Sequence, residues 1–177
     1  IPKKIAGLLL AAILSDTLMF RSPTCTKFDQ EAVTELAKIA GIEIEDFAND
    51  MFMAGSNLSG KAPEEIFYQD FKKFMAGEIT FGVGQINSMD AKSLANAEEK
   101  IRPILQSECG KNGMSMVFFM LTNIVEESTK LLLFGDGSEK IVEKAFDVKV
   151  YKDAASLKGV VSRKKQLIPT IMGVFNA

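Results

Sequence analysis

The chain has 177 residues, with 21 Lys and Arg against 23 Asp and Glu, a net charge of −2 and 47% hydrophobic residues. This is the composition of a folded globular protein long enough for one sizeable core or two small ones, and it excludes disorder, collagen and coiled coil. The charge balance gives no general attraction for nucleic acid or an anionic membrane, and with zero histidines neither a self-contained Ser/Cys–His triad nor a histidine-containing zinc site can be built.

The first predicted element is a helix from Lys3 to Leu14. Its apolar run Ile5–Leu14 is ten residues, well short of the roughly 20 that span a bilayer, so no membrane span is expected. A helix apolar on every face calls for partners on every side, supplied by this chain or by another. It ends at Ser15-Asp16-Thr17, and an extended piece closed by Ser22-Pro23 follows, since proline pushes its predecessor out of the helical region. Thr26 and Asp29 form a variant capping box for a helix with Val33, Leu36, Ala37 and Ala40 inward, stopped by Gly41. A short helix follows with Ile44, Phe47, Ala48 and Met51 on one face.

The polar, glycine-rich stretch Gly55–Lys61 is the clearest composition shift, and we place a domain boundary there: residues 1–54, a linker at 55–62, and a second domain at 63–177. In the second domain Pro63–Asp70 is expected as helix. Lys72–Met75 and Ile79–Asn87 are expected as strands around Gly77, and a helix with Leu94, Ala97, Ile101 and Leu105 inward follows Asp90 and is kinked or ended by Pro103. Met114–Leu121 has the continuous apolar pattern of a central strand buried on both faces, and Lys130–Phe134 is a further strand closed by Gly135-Asp136-Gly137. Ser138–Ala145 is then a helix, Asp147–Tyr151 and Leu157–Val161 strands, and Lys165–Phe175 a last helix in which Pro169 must lie near the first turns. The fold class is α/β, a mixed sheet with helices on its faces, preceded by a helical segment.

Two places could carry chemistry. Ser162-Arg163-Lys164-Lys165 puts three consecutive cations where a strand ends and a helix begins. Backbone N–H groups and the helix dipole also favour an anion at such a junction, so a phosphate or pyrophosphate would be bound by both terms. The alternative is a solvated turn, although cations at a helix N-terminus oppose the macrodipole unless an anion compensates. Asp16 at the end of an apolar helix is either a turn carboxylate capping amides or a metal ligand, and one Asp cannot alone supply the roughly six oxygens that a hard divalent cation takes. Asp46 and Asp50 read as a solvated face, Gly110-Lys111-Asn112-Gly113 lacks the Walker spacing, and Gly82-x-Gly84 lacks the third glycine of a dinucleotide site. Cys25 and Cys109, without C-x-x-C spacing, are expected as reduced, buried thiols of a cytoplasmic protein.

Ala6-Gly7-Leu8-Leu9-Leu10 leading into Ser15-Asp16-Thr17-Leu18-Met19-Phe20-Arg21-Ser22-Pro23-Thr24-Cys25-Thr26, followed by Lys158-Gly159-Val160-Val161-Ser162-Arg163-Lys164-Lys165-Gln166-Leu167-Ile168-Pro169, strongly resembles the family II, manganese-dependent inorganic pyrophosphatases of the DHH phosphoesterase superfamily. The resemblance runs over essentially the whole chain. It implies a two-domain hydrolase that splits pyrophosphate into two phosphates, with Mn²⁺, or Co²⁺ or Mg²⁺, held mostly by Asp and His residues of an N-terminal DHH domain. By position, Asp16 corresponds to one aspartate metal ligand, Arg163 and Lys164 to the substrate-binding pair, and Lys72 to a further substrate-binding lysine. The family's histidines and remaining aspartate ligands precede Ser15-Asp16-Thr17 and have no counterpart here. The expectation is therefore a C-terminal part containing the DHH-associated substrate-binding domain, inactive without its missing N-terminal partner domain. Alternatives are an exopolyphosphatase-like phosphoesterase, or an interaction module in which the exposed first helix drives self-association, as in a homodimer.

Overall fold

The computed structural model describes residues 1–55, 58 and 60–176, so Ser56, Asn57 and Ser59 of the expected linker lie outside the described residues. The chain divides into two compact units, residues 1–57 and 58–177.

Unit 1 is helical: α1 (Lys3–Asp16), α2 (Lys27–Ala40) and α3 (Ile44–Gly55). The capping box is formed in full. Thr26 accepts the Asp29 amide, Asp29 accepts the Thr26 amide, and Gly41 ends α2 in the left-handed conformation. Ala6, Leu10 and Leu14 of α1 pack on Val33, Leu36 and Ala37 of α2 and Ala48 of α3. α1 is not enclosed, because Ile5, Leu8 and Leu9 remain exposed, Leu8 at 68%. Two helices cover one stripe of it, and among the described residues of the unit Ile5, Leu8 and Leu9 are left largely uncovered.

The expected extended piece after α1 is instead a tight turn. Leu18, Met19 and Phe20 have φ of 48°, 53° and 69°, three successive non-glycine residues in the left-handed region, at a cost of about 1–2 kcal/mol each. The turn is held by Met19 N–H to Leu14 O at 2.9 Å and Ser22 N–H to Thr17 O at 2.8 Å. The Thr17 hydroxyl donates to Ile13 O at 2.8 Å and accepts the Phe20 amide at 3.3 Å. Local hydroxyl bonding thus controls the residues that precede Ser22-Pro23.

Unit 2 contains α4 (Pro63–Tyr68), β1 (Phe71–Ala76), β2 (Ile79–Ser88), α5 (Ala91–Ile101), α6 (Leu105–Lys111), β3 (Met116–Asn123), β4 (Ser128–Phe134), α7 (Ser138–Phe146), β5 (Ala154–Lys158) and α8 (Ile168–Phe175). The strands form one sheet in the order β1-β2-β3-β4-β5. β2 and β3 are parallel, joined through α5 and α6, and every other neighbouring pair is antiparallel. One face packs on α4, α5 and α6 through Phe67, Leu94, Ile101, Val117 and Phe119, and the other on α7 and α8 through Phe81, Phe118, Val142 and Ile171. All eight positions of β3 are buried, as a strand covered on both faces requires.

Pro103 acts as expected: a 3-10 turn, Arg102–Ile104, separates α5 from α6. Gly82 and Gly84 are packing glycines, since a Cβ at either would lie about 2.4–2.5 Å from the Phe71 or Phe119 ring. Asp147–Tyr151 is not a strand. Tyr151 and Ala154 exchange backbone hydrogen bonds around Lys152 and Asp153, both at positive φ, so the segment is one arm of a tight hairpin without a ladder of its own. The strand expected at Leu157–Val161 begins earlier, at Ala154, and ends at Lys158, because Gly159 turns away at φ 72°. Cys109 is buried, whereas Cys25 is only partly so, and both are free thiols.

Candidate anion site at the end of the sheet

β2 and β3 run in the same direction and finish at Ser88 and Asn123. The end of a parallel pair is where open α/β sheets place ligands. At this end the side chains turn polar. The two hydrogens of the Gln85 side-chain amide nitrogen are shared among Thr122 Oγ1 at 3.1 Å, Val161 O at 2.9 Å and Asn87 Oδ1 at 3.0 Å. Thr122 and Thr129 face each other across β3 and β4, their hydroxyls 2.9 Å apart, and Thr129 Oγ1 donates to Val160 O at 2.6 Å. This buried row ties the backbone just before Ser162 to the sheet.

A second clamp comes from Gln166. Its Oε1 accepts the amides of Val161 at 2.9 Å and Ser162 at 3.0 Å, and its Nε2 donates to Gly159 O at 2.6 Å. Ser162 Oγ caps the Lys165 amide at 3.2 Å. Residues Arg163–Leu167 then form a π-helical turn that leads into α8. Leu167 N–H reaches back to Ser162 O at 3.1 Å, and the wider turn is matched to Pro169, whose ring would crowd the carbonyl four residues before it in a regular helix. The expected helix at Lys165–Phe175 thus begins two residues earlier, as a π turn.

Arg163 is pinned. Its Nη1 donates to Asp70 O at 2.6 Å and Val83 O at 3.3 Å, and its Nη2 to Asp70 Oδ1 at 2.7 Å. The side chain is only 10% exposed. Lys72 lies two residues after Asp70 and pairs with Val83 in the β1–β2 register, so the same corner holds both. Lys72, Lys164 and Lys165 are exposed. Of the residues singled out from sequence, Lys72, Arg163 and Lys164 therefore meet at one corner of unit 2. Asp70, Gln85, Thr122 and Thr129, which build that corner, were not singled out. An amide inside the apolar run Phe81–Ile86 was the one available signal, and the threonine pair becomes visible only with the strand register.

Asp16 belongs to unit 1, where its carboxylate is exposed at the C-terminal end of α1. It does not cap the turn that follows; the hydroxyls of Thr17, Ser22 and Thr24 do so, and Thr24 Oγ1 donates to Asp16 O at 2.9 Å. A carboxylate at a helix C-terminus opposes the macrodipole, and three strained residues follow it, a combination associated with functional positions. Among the described residues no group of three or more His, Cys, Asp or Glu could hold a metal ion. The donors of the described residues therefore do not by themselves fit a manganese centre.

A cavity of about 930 Å³ lies elsewhere in unit 2, lined by Glu98, Arg102, Lys130 and Tyr151 among others. Of the four cations that line it, Arg102 and Lys130 are each paired with Glu98 at 2.6 Å and Lys149 with Glu143 at 3.7 Å. No described helix is long and apolar enough to cross a membrane.

Residues 49–174 match the DHHA2 domain model. The chain is 39% identical over 171 residues to a Shouchella clausii protein assigned as a manganese-dependent inorganic pyrophosphatase, covering 97% of this chain and 55% of that protein. It is 42% identical over 169 residues to the cobalt-dependent inorganic pyrophosphatase of Clostridium perfringens, covering 96% and 31%. The crystal structure of a Methanococcus jannaschii protein assigned to the family II inorganic pyrophosphatases superposes with a TM-score of 0.89 at 38% identity, over 100% of this chain and 57% of that one. The chain thus spans a little over half the length of two of these relatives and about a third of the other. With a domain model matched over most of its length, the chain belongs to the DHHA2 domain family.

Proposed function

We propose that the corner formed by Lys72, Arg163 and Lys164 binds the phosphoryl groups of pyrophosphate, as the substrate-binding part of a manganese-dependent inorganic pyrophosphatase. The observation that carries this reading is the immobilisation of the Ser162–Lys165 turn. Bonds from Gln85, Thr129 and Gln166 fix its backbone, and Asp70 and Val83 fix Arg163, while Lys164 and Lys72 remain exposed beside it. A merely solvated turn has no need of such support, whereas an anion site gains from donors that do not reorganise on binding. Arg supplies a planar fork and Lys a point charge, the two kinds of group that neutralise transferring and leaving phosphoryl oxygens.

The metal-binding half of the reaction lies beyond the donors present here, Asp16 being one exposed carboxylate. The chain alone is expected to release no phosphate from pyrophosphate with Mn²⁺ supplied. Phosphate release above that of an Arg163→Ala control would contradict this. The two free thiols accord with a reducing, cytoplasmic location.

The exposed face of α1, with Ile5, Leu8 and Leu9, supports a second reading in which two copies associate through it. Sedimentation equilibrium across a hundredfold range of concentration tests it. A monomer throughout would remove it, and dimer formation lost in Leu8→Glu would support it.

A further inference from the structure

Arginine has five N–H donors, four of which form two parallel pairs, one end-on and one side-on, with the fifth on Nη1. In Arg163 the end-on pair, one hydrogen from each Nη, is taken by the backbone carbonyl and the carboxylate of the same residue, Asp70, at 2.6 and 2.7 Å. The other Nη1 hydrogen faces Val83 O at 3.3 Å. What remains is the side-on pair, Nε–H and the second Nη2–H, for which the described residues offer no acceptor. We infer that Asp70 is a positioning residue: it holds the end-on edge of the Arg163 fork so that the side-on edge is the face offered to a phosphoryl group. This rests on the reading that the corner binds diphosphate, and it adds which edge of the arginine is used and what sets it.

The physical case is one of preorganisation. A free arginine carries large rotamer entropy, and binding an anion through two parallel bonds requires the guanidinium plane to be fixed. Asp70 fixes that plane with two acceptors from one residue, and its position is itself set. Asp70 O also accepts the backbone N–H of Gln85 at 3.0 Å, extending the pairing of β1 with β2 by one residue. The end of β1, the central polar row and the cationic turn are thereby one hydrogen-bonded assembly. A carboxylate beside an anion site costs some attraction, and its half-exposed position, 50%, keeps that cost small.

The role predicts an unusual order of variants. Asp70→Asn retains the Oδ1 acceptor and should bind imidodiphosphate within about threefold of the parent chain, or more tightly because a repelling charge is gone. Asp70→Ala loses the acceptor and should bind about tenfold more weakly. Calorimetry of imidodiphosphate with the full chain measures both, and the urea midpoint of each variant checks its folding. In ¹⁵N-resolved spectra the Arg163 Nε–H signal should shift on adding the probe to the parent and Asp70→Asn chains, and much less in Asp70→Ala. Binding lost in Arg163→Ala but unchanged or tighter in Asp70→Ala would overturn the positioning role and leave the site standing. Equal weakening in Asp70→Asn and Asp70→Ala would also overturn it. No binding by the parent chain, or binding indifferent to Arg163→Ala, would overturn the site reading together with this inference.

Discussion

Replacing Gln85 with Met keeps the length of the side chain and removes its amide. Gln85 is buried, and its nitrogen serves Thr122 Oγ1, Val161 O and Asn87 Oδ1. Losing two neutral hydrogen bonds costs about 1 kcal/mol each, and the Val161 carbonyl left without a donor adds about 1–2 kcal/mol. A total of about 3–4 kcal/mol corresponds, at a slope of about 2 kcal/mol/M, to a fall in urea midpoint of about 1.5–2 M. The chain has two tyrosines and no tryptophan, and Tyr68 and Tyr151 both lie in unit 2. Tyrosine fluorescence during urea unfolding therefore reports on unit 2 alone, which avoids treating two units as one transition. Amide exchange at Val161 and Ser162 should also accelerate more than exchange at Phe118 or Phe119. A midpoint within about 0.3 M of the parent chain would mean that the polar row contributes nothing beyond space filling, and the account of how the cationic turn is held would fail.

Three further outcomes follow from the same structure. The Lys111 ammonium and the Tyr68 hydroxyl hold the buried Glu108 carboxyl below the usual carboxylate range; a lowered native pKa gives stability present above the unfolded value, about 4.3, and lost as pH falls through the native one. The drop in urea midpoint below about pH 4 should accordingly be smaller in Glu108→Gln than in the parent, and equal slopes would refute it. Gly135 has φ of 113°, and a Cβ there would meet Ser115 O at 2.2 Å, so Gly135→Ala should destabilise unit 2 by more than about 2 kcal/mol in the same assay. Lys152 and Asp153 occupy the two positive-φ positions of a two-residue hairpin, and Asn-Gly in their place should stabilise unit 2 by about 1 kcal/mol, read as a higher urea midpoint by tyrosine fluorescence; no change would show the turn to be unstrained.

Much of the fold was legible because its signals are local. Thr26 with Asp29, Gly41, Asp90 and Pro103 each act within a few residues, and each produces the cap or break it implies. The apolar stretch Met114–Leu121, expected as a central strand, forms one shifted by two residues, at Met116–Asn123. The misreadings fall where a tertiary or hydroxyl interaction overrides the local pattern. Leu18–Phe20 curl left-handed because Thr17 and Leu14 capture their amides, and Asp147–Tyr151 stays outside the ladder although its alternation suits a strand. The cations of the candidate site were visible as a cluster, but their support was not: Asp70 and Arg163 are 93 positions apart, and Gln85 and Val161 are 76 apart. Such pairs are defined by the sheet order and not by spacing along the chain.

The most direct measurement is a calorimetric titration of imidodiphosphate into the chain, with and without Mn²⁺, beside Arg163→Ala. The account predicts binding that requires Arg163 and does not require Mn²⁺, since the cationic corner is assembled within unit 2 and the described residues do not make a metal site. Absence of binding, or binding that persists unchanged in Arg163→Ala, would contradict it.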